Sequence, residues 1–197
     1  MTTITWVLLV VAVLVLFWAV GAYNRLVRLK NAITNAFGQI DVQLKRRYDL
    51  VPNLVEVAKK YLAHEAQTLE AVIAARNQAR AAEQTAAGAP LSAGALGALT
   101  SAEQVLGGAL GRLFAVAEAY PDLKADQTMR ELSEELSSTE NRIGFARQAY
   151  NDHVLAFNDA AAQFPTLIIA RLFGFVPLAM LEATTTEAER QPVKVSF

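Results

Sequence analysis

Cysteine is absent from this 197-residue chain, histidine occurs twice, and aromatics make up only 8% of it. Without a thiol there is no disulfide, no thiolate metal site, no cysteine nucleophile and no lipid-modified cysteine. Nor is there an excess of positive charge. The 18 Lys/Arg and 19 Asp/Glu leave a net charge of −1, so no global basic field exists to hold nucleic acid. One further absence is local: no charged side chain precedes Arg25.

That charge-free start contains an apolar run from Ile4 to Ala22 whose one hydroxyl is Thr5. At about 1.5 Å per residue the run spans about 28 Å, close to the hydrocarbon thickness of a bilayer. Trp6, Trp18 and Tyr23 fall where an aromatic belt is expected. A cleaved signal peptide is the competing reading, because Ala19-Val20-Gly21 resembles a small-residue cleavage site. Signal peptides, however, carry a basic start and a shorter apolar core. Here the basic residues Arg25, Arg28 and Lys30 come after the run. Positive charge resists translocation, so residues 1–23 are expected to be a retained single-pass anchor. The N-terminus would lie outside and the body in the cytoplasm.

The body carries helical periodicity and no sustained alternation at period two. Met129, Leu132, Leu136, Thr139, Ile143, Ala146, Tyr150, His153, Phe157, Ala160 and Phe164 recur at alternating steps of three and four. Such a heptad seam favours coiled-coil-like packing. Leu99, Ala102, Leu106, Ala109, Leu113, Val116 and Tyr120 form another, and Leu26, Leu29, Ile33, Ala36, Ile40 and Leu44 a third. Val51, Val55, Ala58, Leu62, Leu69 and Val72 make a broader stripe, suited to packing against more than one neighbour.

Breaks fall between the seams. Pro52 disturbs a helix through 48–52 and Asp49 is placed to cap a new one. Pro121 ends the third helix and Asp122 can cap the fourth. The Ala/Gly-rich stretch 81–98 reads as a linker, and Thr100-Ser101-Ala102-Glu103 as a capping box. The expected fold is all-α: the anchor, then an antiparallel up-and-down bundle of long helices over about 24–48, 50–83, 100–119 and 122–163. The alternative is that the first two form one kinked helix, leaving three.

Charge is distributed in blocks. Asn24 to Lys60 holds eight bases and three acids; Glu118 to Glu140 holds seven acids and two bases. In the expected topology Lys45, Arg46 and Arg47 meet Glu118, Asp122 and Asp126 at the tip far from the membrane, and the 81–98 linker returns to the membrane side. The meeting charges would be an internal ion-pair network or a docking tip for a partner. Beyond the bundle, residues 166–181 are apolar but too short to span, and belong in the membrane interface or against the base of the bundle. The tail from Gln191 to Phe197 alternates like a strand that could add to a partner's sheet edge.

Chemical signatures are sparse. His64-Glu65 lacks the second histidine of a zinc helix, since position 68 is threonine. His153 on its seam reads as a packed or hydrogen-bonded histidine. No phosphate loop or nucleophile elbow occurs. Arg142, Arg147, Asn151 and Asn158 are expected to build polar layers with Asn24, Asn31 or Asn35 that fix helix register.

The stretch from Ile40 to Val55, I-D-V-Q-L-K-R-R-Y-D-L-V-P-N-L-V, closely resembles the signature of the LemA family. Supporting matches are Tyr61 to Glu65, Ala75-Arg76, Glu118 to Ala125, Glu140 to Ile143, Tyr150-Asn151, Phe157-Asn158, Phe164-Pro165, Phe173-Gly174-Phe175 and Pro192 to Phe197. The resemblance implies a bacterial inner-membrane protein with a helical bundle, no agreed enzymatic activity and no cofactor. It also implies company with membrane proteases and other membrane proteins, and one branch of the family belongs to magnetosome membranes. The expected role is a non-enzymatic scaffold or adaptor at the cytoplasmic face, or alternatively a membrane-shaping, self-assembling protein. Its partners are the bilayer, other proteins and a second copy of itself, not nucleic acid. Lys45, Arg46, Arg47, Asp122, Val193 and Phe197 are the candidate partner-binding residues.

Overall fold

A computed structural model describes residues 2–181. The architecture is all-α: α1 (Thr3–Lys59), α2 (Ala66–Gly88), α3 (Ala93–Ala117), α4 (Pro121–Ala125), α5 (Gln127–Ala162) and α6 (Thr166–Leu172), with no strand among the described residues. Helix α1 runs for 57 residues, about 85 Å at 1.5 Å per residue.

The break expected at Asp49–Pro52 does not occur. Pro52 has no N–H, so the Tyr48 carbonyl loses its partner within the helix. Arg76 on α2 replaces it, its Nε donating to the Tyr48 oxygen at 2.9 Å. The helix therefore continues to Lys59, and the turn falls at 60–65. Residues 50–59 join the first helix rather than the second, and the long helices remain four: α1, α2, α3 and α5.

The expected linker is also mostly helix. Alanine is the best helix former, and Ala79, Glu83, Ala86 and Leu96 are buried. Only residues 89–92 turn the chain. Ser92, not the Thr100 capping box, opens α3, its Oγ accepting from the Ala95 N–H. Likewise Asp126, not Asp122, caps α5, accepting from the Met129 N–H at 3.0 Å. Pro121 stands at the first position of the short α4.

Helix α1 packs against α5 and α2, and α2 against α3. Leu26, Ile33, Ile40, Leu44, Val51 and Leu54 of α1 are fully enclosed together with Leu99, Leu106, Leu113, Tyr150 and Phe157. The two distal turns meet, since the Tyr61 hydroxyl donates to Asp126 Oδ2 at 2.9 Å. At the other end, the Tyr150 hydroxyl donates to the Pro90 carbonyl at 3.1 Å, and the Tyr150 and Phe37 rings stand 6.2 Å apart. This holds the α2–α3 turn level with Phe37. Fifteen residues of α1 separate Phe37 from Ala22, so the turn lies roughly 22 Å from the apolar run rather than at the membrane side.

Below that level α1 and α5 continue together, covered by α6 and residues 173–181. Gly174 adopts φ +68°, the left-handed conformation that ends α6. The Phe175 N–H reaches the Ala170 carbonyl at 2.9 Å and the Gly174 N–H the Arg171 carbonyl at 3.4 Å, a Schellman end that a side chain at 174 would strain. The chain then runs back up α5. Asn158 grips Leu178 through both its N–H and C=O, at 2.8 and 2.9 Å, and Asn151 grips Leu181 in the same way.

The seam on α5 drifts from the heptad. After Ile143 the buried positions are Arg147, Tyr150, Val154 and Phe157, so Ala146 is only partly covered and His153 is exposed. A straight helix of 3.6 residues per turn slips about 20° per heptad against a 3.5 repeat, which carries Arg147 inward and His153 outward. Phe164 lies past the end of α5 and is exposed.

Candidate functional site

The charges that α1 carries in Lys45-Arg46-Arg47 sit about two-thirds of the way up the bundle, not at its tip, because α1 extends about three turns further than the sequence implies. Arg47 is buried and stands at the centre of a charged layer. Its Nη1 lies 2.6 Å from Glu103 Oε2 on α3, and its Nε 2.7 Å from Glu140 Oε1 on α5. The Tyr48 hydroxyl donates to the other Glu103 oxygen at 2.5 Å. Burial and the adjacent Glu103 carboxylate push the Tyr48 phenol well above its usual range. Arg147 on α5 joins the layer. Burial lowers its affinity for the proton, while the Glu103 and Glu140 charges oppose that effect.

One turn toward the base, Lys45 Nζ lies 2.6 Å from Asp41 Oδ2 and 3.7 Å from Glu83 Oε1 on α2. Glu83 is 1% exposed. Burial and its hydrogen bond with Asp41 push its carboxyl up to about 7, against the pull of Lys45. Burial also acts to raise Asp41, but the hydrogen bond with Glu83 and the Lys45 ammonium together hold it below the usual carboxylate range. Arg46 faces outward and pairs with Glu135 on α5 at 2.6 Å, both half-exposed.

All four long helices thus contribute to one polar belt: Arg47 and Tyr48 from α1, Glu83 from α2, Glu103 from α3, Glu140 and Arg147 from α5. Removing one partner of a buried pair leaves a charge with no water and no counter-ion, so such a belt penalises every register but one. The opposed charge blocks were legible in the sequence, and Arg46 and Arg47 do pair with acids of the 118–140 block. Asp122 is not among them: it is exposed in α4 at the tip, where the neighbouring Lys124 pairs with Glu118 at 2.5 Å. Val193 and Phe197 lie outside the described residues.

The expected polar layers with Asn24, Asn31 and Asn35 do not form. Those three side chains and Arg142 are exposed, while Asn151 and Asn158 bind the returning backbone. Among the described residues no His, Asp or Glu side chains cluster as a metal site, and His64 is exposed.

One feature was not read from the sequence: a groove of about 760 Å³ between the distal end of α1 and α2. Pro52, Val55, Leu62, Leu69 and Ile73 line it, with Glu56, Lys59 and Glu70 at its rim. The broad stripe beginning at Val51 was its only signal. These apolar residues cover more of the helix surface than one neighbour fills.

Comparison with known proteins gives three findings. A family model described as the LemA family matches residues 36–197. The chain is 29% identical over 180 residues to Protein LemA of Metamycoplasma hominis, covering 91% of this chain and 77% of that one. It is 27% identical over 168 residues to Magnetosome protein MamQ of Magnetospirillum gryphiswaldense and over 173 residues to Magnetosome protein MamQ 2 of Paramagnetospirillum magneticum. In both of these the alignment covers 78% of this chain and 62% of the relative, so the chain spans about three-fifths of their length.

Proposed function

The chain belongs to the LemA family, and from that premise we propose that it is a non-enzymatic, membrane-anchored scaffold that gathers protein partners at the cytoplasmic face of a bacterial inner membrane. The observation that carries this reading is the continuity of α1. One helix, unbroken from Thr3 to Lys59, joins an apolar run to a bundle whose central charges are paired with one another. Such paired groups serve register better than turnover, since the buried charges of the belt are spent on one another. The bundle then offers surfaces held at fixed heights above the bilayer. Arg25, Arg28 and Lys30 favour the bundle on the cytoplasmic side. Two relatives are named for the magnetosome, which supports a role at membranes. Membrane proteases and other membrane proteins are the partner class, linking the scaffold to membrane protein quality control.

Photo-crosslinking in native membranes tests the proposal, with probes at Lys59 beside the distal groove and at Val193. A recurrent heterologous adduct at Lys59, lost when Glu70 on the opposite rim is changed to Lys, is the expected result. Adducts only to further copies of the same chain would overturn the adaptor reading and favour a self-assembling membrane organiser. The outward apolar face of α6, with Ile168 and Leu172 exposed, gives the membrane-shaping form of that reading its footing.

A further inference from the structure

Helix α6 presents two unlike faces. Thr166, Ile169 and Ala170 are buried against α1 and α5. The opposite side carries Ile168 and Leu172 four residues apart, 55% and 74% exposed, with Phe164 at 81%, Phe173 at 57% and Val176 at 65% on the flanking turns. An outward surface made of large apolar side chains is uncommon on a helix that faces only water, and it marks an interaction site.

The height of this surface identifies what meets it. Tyr23, the first residue beyond Ala22, has its ring 4.9 Å from Phe173 and 5.7 Å from Phe175. Ala22 is the first buried residue of α1, and Ala19 one turn before it is already partly covered, while every other residue from Ile4 to Gly21 is exposed. The base of the bundle therefore reaches the last turn of the apolar run. Charge agrees with the placement. Arg25, Arg28, Lys30 and Arg171 are exposed around the base, and within 22–30 and 159–176 they face the single acid Asp159.

We propose that Phe164, Ile168, Leu172, Phe173 and Val176 form a foot that inserts into the cytoplasmic leaflet carrying the anchor, with Arg171 and the α1 cations on anionic lipid headgroups. This rests on the reading of residues 4–22 as a membrane span. The apolar side chains sit at the headgroup–acyl boundary, where interfacial helices bury their apolar face by about 5–10 Å. Arg171 lies along the surface with its guanidinium in the headgroups. The foot gives the bundle a second point of attachment beside α1, which fixes its rotation about the anchor as well as its height.

The test uses the full chain in vesicles of phosphatidylcholine with one quarter phosphatidylglycerol. The chain has no cysteine, so each introduced cysteine is a unique spin-label site. Labels at Ile168 and Leu172 are compared with Leu14 in the anchor and Val105 on exposed α3, by collision with oxygen and with a water-soluble nickel chelate. At 168 and 172 the chelate collision rate is expected to fall at least threefold below that at Val105, and to rise when phosphatidylglycerol is omitted. If Leu14 is shielded while both foot sites match Val105, the foot is wrong and the anchor stands. If Leu14 is also open to the chelate, the anchor reading fails and the foot with it. Spin–spin broadening between copies at Ile168 would assign the surface to a second chain and overturn the lipid assignment. The double variant Ile168→Ser, Leu172→Ser alters exposed side chains and should leave the helicity and melting of the detergent-solubilised protein unchanged. In vesicles it should open a label at Phe173 to the chelate, and no change there would count against the foot.

Discussion

The two parts of α1 are one helix with two kinds of surface. From Ile4 to Gly21 it is apolar on every side and nothing but Ala19 is even partly covered. From Ala22 to Ala58 it is striped, with Leu26, Ile33, Ile40, Leu44, Val51 and Leu54 enclosed and the opposite face polar. A helix apolar all round requires an apolar surrounding medium, and a striped one requires neighbours. The change occurs within one turn at Ala22–Tyr23, where α6 arrives and the basic residues begin. In the proposed function the apolar part contributes attachment; the striped part contributes the stability of the fold.

Equal truncations in the two parts break this symmetry most strongly. In detergent, Leu44→Ala should destabilise the bundle by roughly 2–5 kcal/mol through lost burial and a residual cavity. Leu14→Ala should change it by less than about 0.5 kcal/mol, because that side chain is exposed among the described residues. Arg47→Met belongs with the first. It removes the ion-pair partner 2.6 Å from the buried Glu103 carboxylate and should cost about 3–5 kcal/mol, while the double change Arg47→Met, Glu103→Leu should regain most of it. Chemical denaturation followed by circular dichroism reads all four.

A smaller effect separates the parts by pH. Glu83 holds its proton up to about 7 in the folded chain, well above an unfolded carboxyl near 4.3. The folded state therefore binds more protons between these values, and stability falls as pH rises through that window. The stabilising contribution is complete below about 4.3 and is lost above about 7, a change on the order of 2–3 kcal/mol. Midpoints measured from pH 5 to 8 should decline, and Glu83→Gln should flatten the decline.

Arg76→Leu probes the point where sequence reading failed. It uncovers the Tyr48 carbonyl opposite Pro52 and should cost roughly 1–2 kcal/mol, with faster amide exchange confined to residues around 50–56. A proline in a helix is read as a break because its local cost is visible in sequence. The arginine that offsets the lost hydrogen bond sits 24 residues later and acts only through the tertiary fold. The error then carried forward. Ending the first helix near Asp49 instead of Lys59 placed Lys45–Arg47 at the tip among Glu118, Asp122 and Asp126, whereas Arg46 pairs with Glu135. The periodic apolar residues were legible throughout, since burial follows period, and so were the opposed charge blocks. Their exact partners were not, because partner choice depends on where each helix ends. The Ala/Gly-rich stretch misled for a related reason: its small residues suit a flexible linker and a close α2–α3 contact equally well.

The smallest effect concerns His153. The heptad seam buries it and the structure exposes it, so His153→Ala should change the unfolding free energy by no more than about 0.5 kcal/mol. Val154→Ala, one residue on and fully enclosed, should cost several times as much.

The central claim is that anchor and bundle share one rigid helix across the membrane boundary. Spin labels at Val20 and Glu56, both exposed, stand 36 residues and ten whole turns apart, about 54 Å along the axis. In vesicles, pulsed dipolar spectroscopy should return one narrow distance near that value. A broad distribution, or a distance shorter by about 10 Å or more, would mean the helix bends or breaks between membrane and bundle, and would contradict the account.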